Sequence, residues 1–312
     1  MARMAAKRES RTGWADLGIV PGPVLRVFGM RRSGNHAIIN WLARNAPGGR
    51  SVFFNNCTAG RDPFASFRAV EIDGRRRPGS AGDNPAEFAR RAGDGAAVIF
   101  SYEDAMPNER RKRPVSVGVD EGAIDFEVIV CRGFLNWAAS LLRKLQGNPA
   151  YGAHQRVAIV LRAVELYSLM LDLAIAEEEL GLVVIRYDDW IAQPAYRAGL
   201  LERLGFERRD DTLGEVQRYG NGSSFQKEAV SAEDLRPENR WREMSDDPEY
   251  RIVLWLAAQD AGLRDKLSRV FPADAAGLQR LAANTAFPAP SEAMSEELSA
   301  PHGAHPQILR RN

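Results

Sequence analysis

Residues 24–42, VLRVFGMRRSGNHAIINWL, set an apolar strand-like run, a turn bounded by Gly29 and Gly34, and a helix-like pattern in immediate succession. A strand, a tight basic glycine loop and a helix N-terminus together make a phosphate cradle. Backbone N–H groups after Gly34 point at an anion, the helix dipole favours negative charge, and Arg31 and Arg32 add cations. The two glycines have the G-x-x-x-x-G spacing of a nucleotide-binding loop. Asn35 and His36 then follow where the Walker version has Lys and Ser or Thr, so the loop suits phosphate but not an ordinary ATP and magnesium site.

Further short apolar runs recur at 52–54, 96–100, 128–131 and 182–185, bounded by Gly, Asp or Arg as buried parallel strands are. Helical patterns lie between them at 37–43, 135–145, 154–180 and 195–204, the last closed by Gly205 as a C-cap. This alternation predicts an α/β chain: a P-loop-type three-layer fold with a central, mainly parallel sheet of about five strands flanked by helices. Segments 73–94 and 107–114 read as polar surface loops near a site mouth. From 230 onward the chain is charged and mostly helical in pattern, through 250–262. Residues 1–22 read as a flexible arm, 23–285 as one α/β domain, and 286–312 as a disordered tail.

Hydrophobic residues at 45% and charged residues at 27% exclude wholesale disorder. Forty-two Lys and Arg against 41 Asp and Glu leave a net charge of +1, so nothing global points to nucleic acid or a membrane, and any anion site is local. Cys57 and Cys131 form neither a disulfide scaffold nor a zinc site. The basic N-terminus is followed by no apolar signal region, and no run approaches the ~18 residues of a membrane span; the expected location is cytoplasmic.

A second strand, loop and helix follows in EVIVCRGFLNWAASLLRK. Arg132 emerges at the strand's C-terminal end, where a doubly wound sheet binds ligands, and Ser140 lies eight residues on, about one turn inside the helix. The two segments together resemble the sulfotransferases that use 3′-phosphoadenosine 5′-phosphosulfate. By that resemblance Arg31, Arg32, Ser33, Gly34, Asn35 and His36 bind the 5′-phosphosulfate, and Arg132 with Ser140 binds the 3′-phosphate. VVIRYDDW resembles the family's strand ending in a nucleotide-contacting Tyr, here Tyr187. GNGSSFQKE resembles the element over the adenine and 3′-phosphate, which enlists Ser223, Ser224 and Phe225. The resemblance spans about residues 24–241. Arg32 replaces the family's Lys and gives a bidentate fork where lysine gives a point charge. The late basic element that closes over the 3′-phosphate has no clear match; Arg236 and Arg240 are candidates.

The resemblance implies transfer of a sulfuryl group to a hydroxyl or amine of a carbohydrate or small-molecule acceptor. Arg32 and the helix N-terminus would stabilise the departing nucleotide, and the scheme requires no metal. Glu103 and Asp104, in AAVIFSYED, stand where many members have a catalytic His. Glu103 is the preferred general base and Asp104 would orient or replace it; His36 is the competing base. Phe53, Phe54, Tyr102 and Trp137 are candidate pocket walls, although such aromatics are more often core; Asn55 and Asn56 are candidates to orient the acceptor. A P-loop kinase-like phosphotransferase and a non-catalytic nucleotide-binding protein are the alternatives. Acceptor identity and oligomeric state are not legible.

Overall fold

The structure is a computed structural model that describes residues 19–77, 85–107, 114–216, 225–226 and 235–283. In chain order, β1 (Val24–Gly29), α1 (Asn35–Arg44), β2 (Ser51–Asn55), α2 (Pro63–Ser66), β3 (Ala69–Ile72), β4 (Arg75–Arg77), α3 (Pro85–Ala92) and β5 (Ala97–Glu103) form the first half. There follow β6 (Phe126–Cys131), α4 (Phe134–Gln146), α5 (Ala153–Ile175), α6 (Glu177–Leu180), β7 (Val183–Arg186), α7 (Tyr187–Ala192) and α8 (Pro194–Leu204). After residue 235 come α9 (Arg240–Glu243), α10 (Pro248–Gln259), α11 (Ala261–Val270) and α12 (Pro272–Ala283).

The strands form one seven-stranded sheet in the order β4-β3-β2-β5-β1-β6-β7. Five of them, β2, β5, β1, β6 and β7, run parallel, and β3 and β4 extend the edge antiparallel. β1 is buried at every position, as expected of a strand covered on both faces. Its Leu25 and Val27 join a core with Ile38, Trp41 and Trp190 on the α1 side. Val24 and Phe28 join the opposite core, with Phe134 and Tyr167 from α4 and α5 and Tyr250, Leu263 and Leu278 from the C-terminal helices. The result is three layers, and the chain leaves β1 toward one face and β6 toward the other. That reversal opens a crevice at the C-terminal ends of β1 and β6.

Several expected boundaries differ. The predicted loop at 73–94 contains β4 and α3, and with β3 just before it the sheet has seven strands rather than about five, its parallel part being five. β4 is a run of arginines that is a strand through pairing with β3, not through apolarity. α3 buries Phe88, Ala89 and Ala92 on one face. The helical pattern at 154–180 breaks at Ala176, where φ is −93° and ψ is 20°, and that at 250–262 breaks at Asp260, whose carboxylate caps α11. Residues 19–22 are pinned rather than loose: Gly22 N–H donates to Ala96 O and Gly95 N–H donates to Val20 O, each at 2.8 Å. Residues 108–113, the rest of the arm and the segment 286–312 lie outside the described residues.

The C-terminal helices are tied to the sheet's ligand end through α4. Asp274 of α12 accepts the Leu135 N–H at 2.9 Å, and Asp188 accepts the Gly133 N–H at 2.7 Å, so two carboxylates cap the helix that follows Arg132. Burial pushes Asp274 up to about 6 against the pull of the α4 amides, and the like charge of Asp188 adds to it. The folded carboxyl therefore binds its proton more tightly than the unfolded one, and ionising it between pH of about 4 and 6 costs the fold stability. Urea unfolding of the protein and of Asp274→Asn should show the parent losing up to about 3 kcal/mol relative to the variant over that range. Parallel profiles would show that the carboxyl titrates as in the unfolded chain.

Candidate functional site

The parallel strands end on Asn55, Glu103, Gly29, Cys131 and Arg186, and the segments that follow them converge. Four non-glycine residues among those described have positive φ. Three of them, Asn56 (51°), Asp104 (52°) and Arg32 (72°), come just after the ends of β2, β5 and β1, while Asp73 lies in the β3–β4 turn. Left-handed backbone costs about 1–2 kcal/mol per residue and persists where neighbours over-determine it.

The neighbours of the loop 30–34 do this. The Met30 carbonyl accepts from Ser33 N–H and Asn35 Nδ2, each at 3.1 Å. The Arg31 carbonyl accepts from Trp137 Nε1, and the Arg32 carbonyl from Arg132 Nη1, each at 3.1 Å. Three successive carbonyls of the loop are thus held by protein donors, and the first amides of α1, which as helix-opening groups have no intrahelical acceptor, follow directly. Gly29 is required because Asn35 Oδ1 would lie 2.1 Å from an added Cβ. Gly34 combines φ of +92° with the Tyr187 ring, which would lie 2.2 Å from such a Cβ. Asn35 is thus turned into the loop, where its amide supports Met30, and the Ser33 side chain is buried as well.

Arg132 sits behind this loop, 1% exposed. Its Nη1 donates to Ser140 Oγ at 3.1 Å as well as to Arg32 O, its Nη2 donates to Pro237 O at 2.8 Å, and its guanidinium lies 5.1 Å from the Tyr187 ring centroid. All of these partners are neutral, and its Nε is buried without an acceptor among the described residues. Ser140, the seventh residue of α4 and so nearly two turns in, is fully buried and also accepts from Arg240 Nη1 at 2.8 Å. Burial and the neighbouring Arg132 charge lower Arg240 to about 9, and the same two causes lower Arg32. Arg240 lies with its guanidinium 5.4 Å from the Phe225 ring centroid. Three cations that repel one another are therefore gathered at one place.

On the β2 and β5 side the site is mixed in charge. Arg31, exposed, pairs with Asp104, which also accepts the Arg31 N–H at 2.9 Å. Glu103 is half-buried and takes the Asn56 amide at 3.4 Å. Burial pushes its carboxyl up and the Asp104 charge adds, while Arg31, Arg68 and Arg32 pull it down. His36 is brought down to about 4 by burial and by the charges of Arg32 and Arg68, so its imidazole is neutral at physiological pH.

The structure brings together Arg31, Arg32, Ser33, Gly34, Asn35, His36, Glu103, Asp104, Arg132, Ser140 and Tyr187. Ser223 and Ser224 lie outside the described residues. Of the two late candidates Arg240 joins the cluster, whereas Arg236 is exposed. Phe53, Phe54, Tyr102 and Trp137 are all core, at 2% exposure or less. Two participants were not anticipated: the Pro237 carbonyl on Arg132, and Arg68, whose charge reaches both Glu103 and His36. Only the position of Arg68 just before a strand pairing with β2 could have singled it out.

Gly34→Ala should lower stability by about 3 kcal/mol in chemical denaturation, since strained backbone adds to the clash with Tyr187. Gly60→Ala, at φ of +82° with nothing within 4 Å, should lose only about 1 kcal/mol. Equal losses would mean that the Tyr187 ring does not constrain the loop.

Neither a protein-family model nor a curated protein matches the chain. Among solved structures the chain is similar to mouse sulfotransferase SULT7A1 complexed with PAP, at 12% sequence identity and a TM-score of 0.40, over 94% of this chain and 95% of that one.

Proposed function

We propose that the chain is a sulfotransferase that moves a sulfuryl group from 3′-phosphoadenosine 5′-phosphosulfate to a hydroxyl or amine of a carbohydrate or small-molecule acceptor. The hydroxyl of Ser140 carries this reading. Two guanidinium groups, from Arg132 and Arg240, occupy its lone pairs, so its proton is left to donate. A doubly charged phosphate answers both needs at once: it accepts from Ser140 and neutralises two guanidinium groups that meet on a neutral hydroxyl. A terminal phosphate such as the nucleotide's 3′ group has that charge.

Placement supports the remaining roles. Phe225, beside Arg240, and Tyr187, beside Arg132, offer aromatic faces to a nucleobase and its ribose. Arg32 and the amides that open α1 hold the 5′-phosphosulfate and stabilise the charge that grows on the oxygen leaving sulfur. Glu103 takes the proton of the acceptor hydroxyl as the new oxygen–sulfur bond forms and the bond from sulfur to the 5′-phosphate oxygen breaks. A carboxylate raised by burial is a better base than an imidazole lowered to about 4, so His36 serves as a hydrogen-bond partner of the phosphosulfate. Asp104 orients Arg31 and keeps it off the leaving group.

Thermal shift separates this reading from a phosphotransferase: 3′-phosphoadenosine 5′-phosphate should stabilise the protein, and stabilisation by ATP with magnesium alone would overturn the proposal. Arg132→Ala should weaken binding of that nucleotide by about 100-fold, measured by calorimetry, because a buried charge-assisted contact is lost. Glu103→Gln should leave nucleotide affinity within about twofold and lower kcat by a factor of about 100 or more. In the parent, kcat/KM should rise with pH through an apparent value above the ordinary carboxylate pKa of about 4.3, since the base acts only when ionised. A Glu103→Gln enzyme with full turnover would transfer the role to Asp104 or His36.

A further inference from the structure

The cations at the ligand end of the sheet divide by partner. Arg132 and Arg240 meet on Ser140, Arg32 lies in the glycine loop, and Arg31 is neutralised by Asp104. Arg68 is different. It is exposed, and among the described residues its side chain makes neither a hydrogen bond nor an ion pair.

Its position is fixed by backbone pairing. Ala69 of β3 stands opposite Asn55 of β2, and the Arg68 N–H donates to Asn55 O at 2.8 Å. Arg68 therefore lies across from the C-terminal end of β2, beside Asn56, whose amide reaches Glu103. It is on the opposite flank of Glu103 from the Arg132 cluster, since β2 and β1 lie on either side of β5. Its backbone thus lies at the ligand end of the sheet, two strands from Glu103, and both Glu103 of β5 and His36 of α1 feel its charge.

Resting on the sulfotransferase reading, we propose that the acceptor carries an anionic oxyacid substituent, a carboxylate or a sulfate ester, near the hydroxyl that is modified, and that Arg68 binds it. An acidic acceptor has to approach Glu103, Asp104 and the phosphosulfate, all negative. A cation with a bidentate fork beside that path offsets the repulsion and fixes the acceptor's orientation. A neutral acceptor meets no such repulsion and has no use for a guanidinium there.

Binding is measured by calorimetry on protein saturated with 3′-phosphoadenosine 5′-phosphate, using phenyl β-glucuronide, phenyl β-glucoside sulfated on its primary hydroxyl, and neutral phenyl β-glucoside. At least one acidic glycoside should bind about tenfold or more tightly than the neutral one, and which of the two does so distinguishes carboxylate from sulfate. Arg68→Ala should erase that gap and leave nucleotide affinity unchanged; Arg68→Lys should keep part of it. A gap that persists in Arg68→Ala, equal affinities in the parent, or no binding of any glycoside at millimolar concentration would overturn the proposal. So would acidic glycosides that bind only when the nucleotide is absent, since they would then occupy the Arg132 cluster. Were Arg68 there only to keep Glu103 ionised, Arg68→Ala would shift the pH profile of turnover and leave the acidic preference intact. Failure of the parent protein to bind the nucleotide would instead count against the sulfotransferase reading itself.

Discussion

A guanidinium with almost no contact with water and only neutral partners is the constraint on which the ligand end of this molecule depends. Arg132 follows a central strand, and its positive charge is shared with carbonyls of the glycine loop and of Pro237 and with the Ser140 hydroxyl. Those contacts take up its two terminal nitrogens and leave Nε without an acceptor among the described residues, no carboxylate there hydrogen-bonds to it, and burying a charge so weakly paired is expensive. Arg32, the segment from Arg132 to Ser140 and the segment from Pro237 to Arg240, which supply these contacts, lie about a hundred residues apart in sequence. An arrangement of this kind is unfavourable for stability alone and becomes favourable when an anion occupies it.

The backbone around the cluster points the same way. Arg32, Asn56 and Asp104 adopt left-handed conformations next to one another, at the ends of three adjacent strands, and each is tied down by groups from another element. The glycine loop is held by Trp137 and Arg132 from beyond β6, and Tyr187 fills the space that a Cβ at position 34 would need. The cradle is thus preformed by the sheet and by α4, and α4 in turn is capped by Asp188 and by Asp274 from the C-terminal helix. Helices far from the loop in sequence therefore help to set the position of Arg132.

Much of this was legible in the sequence where the signal is local. The five parallel strands are near-continuous apolar runs, and the glycine loop with its two arginines is a contiguous motif. The parts that escaped are decided by pairing at a distance. β3 is four residues long with its apolar run interrupted by the buried Glu71, β4 is wholly basic, and both join the sheet because β2 offers an edge. Within 73–94 the spacing of Phe88, Ala89 and Ala92 marks the inward face of α3, but glycine, arginine and proline dominate the composition. Arg236 and Arg240 in LRPENRWRE are equal candidates for the late basic element, and only the return of the chain over α4 turns Arg240 onto Ser140. The aromatic residues near the strand ends show the converse: each lies in the core, as chemistry without location would suggest.

The central claim is that the Arg132, Ser140 and Arg240 cluster receives the 3′-phosphate of a nucleotide whose 5′ end lies on the glycine loop. A crystal structure of the protein with 3′-phosphoadenosine 5′-phosphate tests it most directly. The account predicts 3′-phosphate oxygens within hydrogen-bond distance of Ser140 Oγ and of both guanidinium groups, with the 5′-phosphate against the amides that open α1. A nucleotide bound with its 3′-phosphate elsewhere, or the cluster left untouched at saturation, would contradict it.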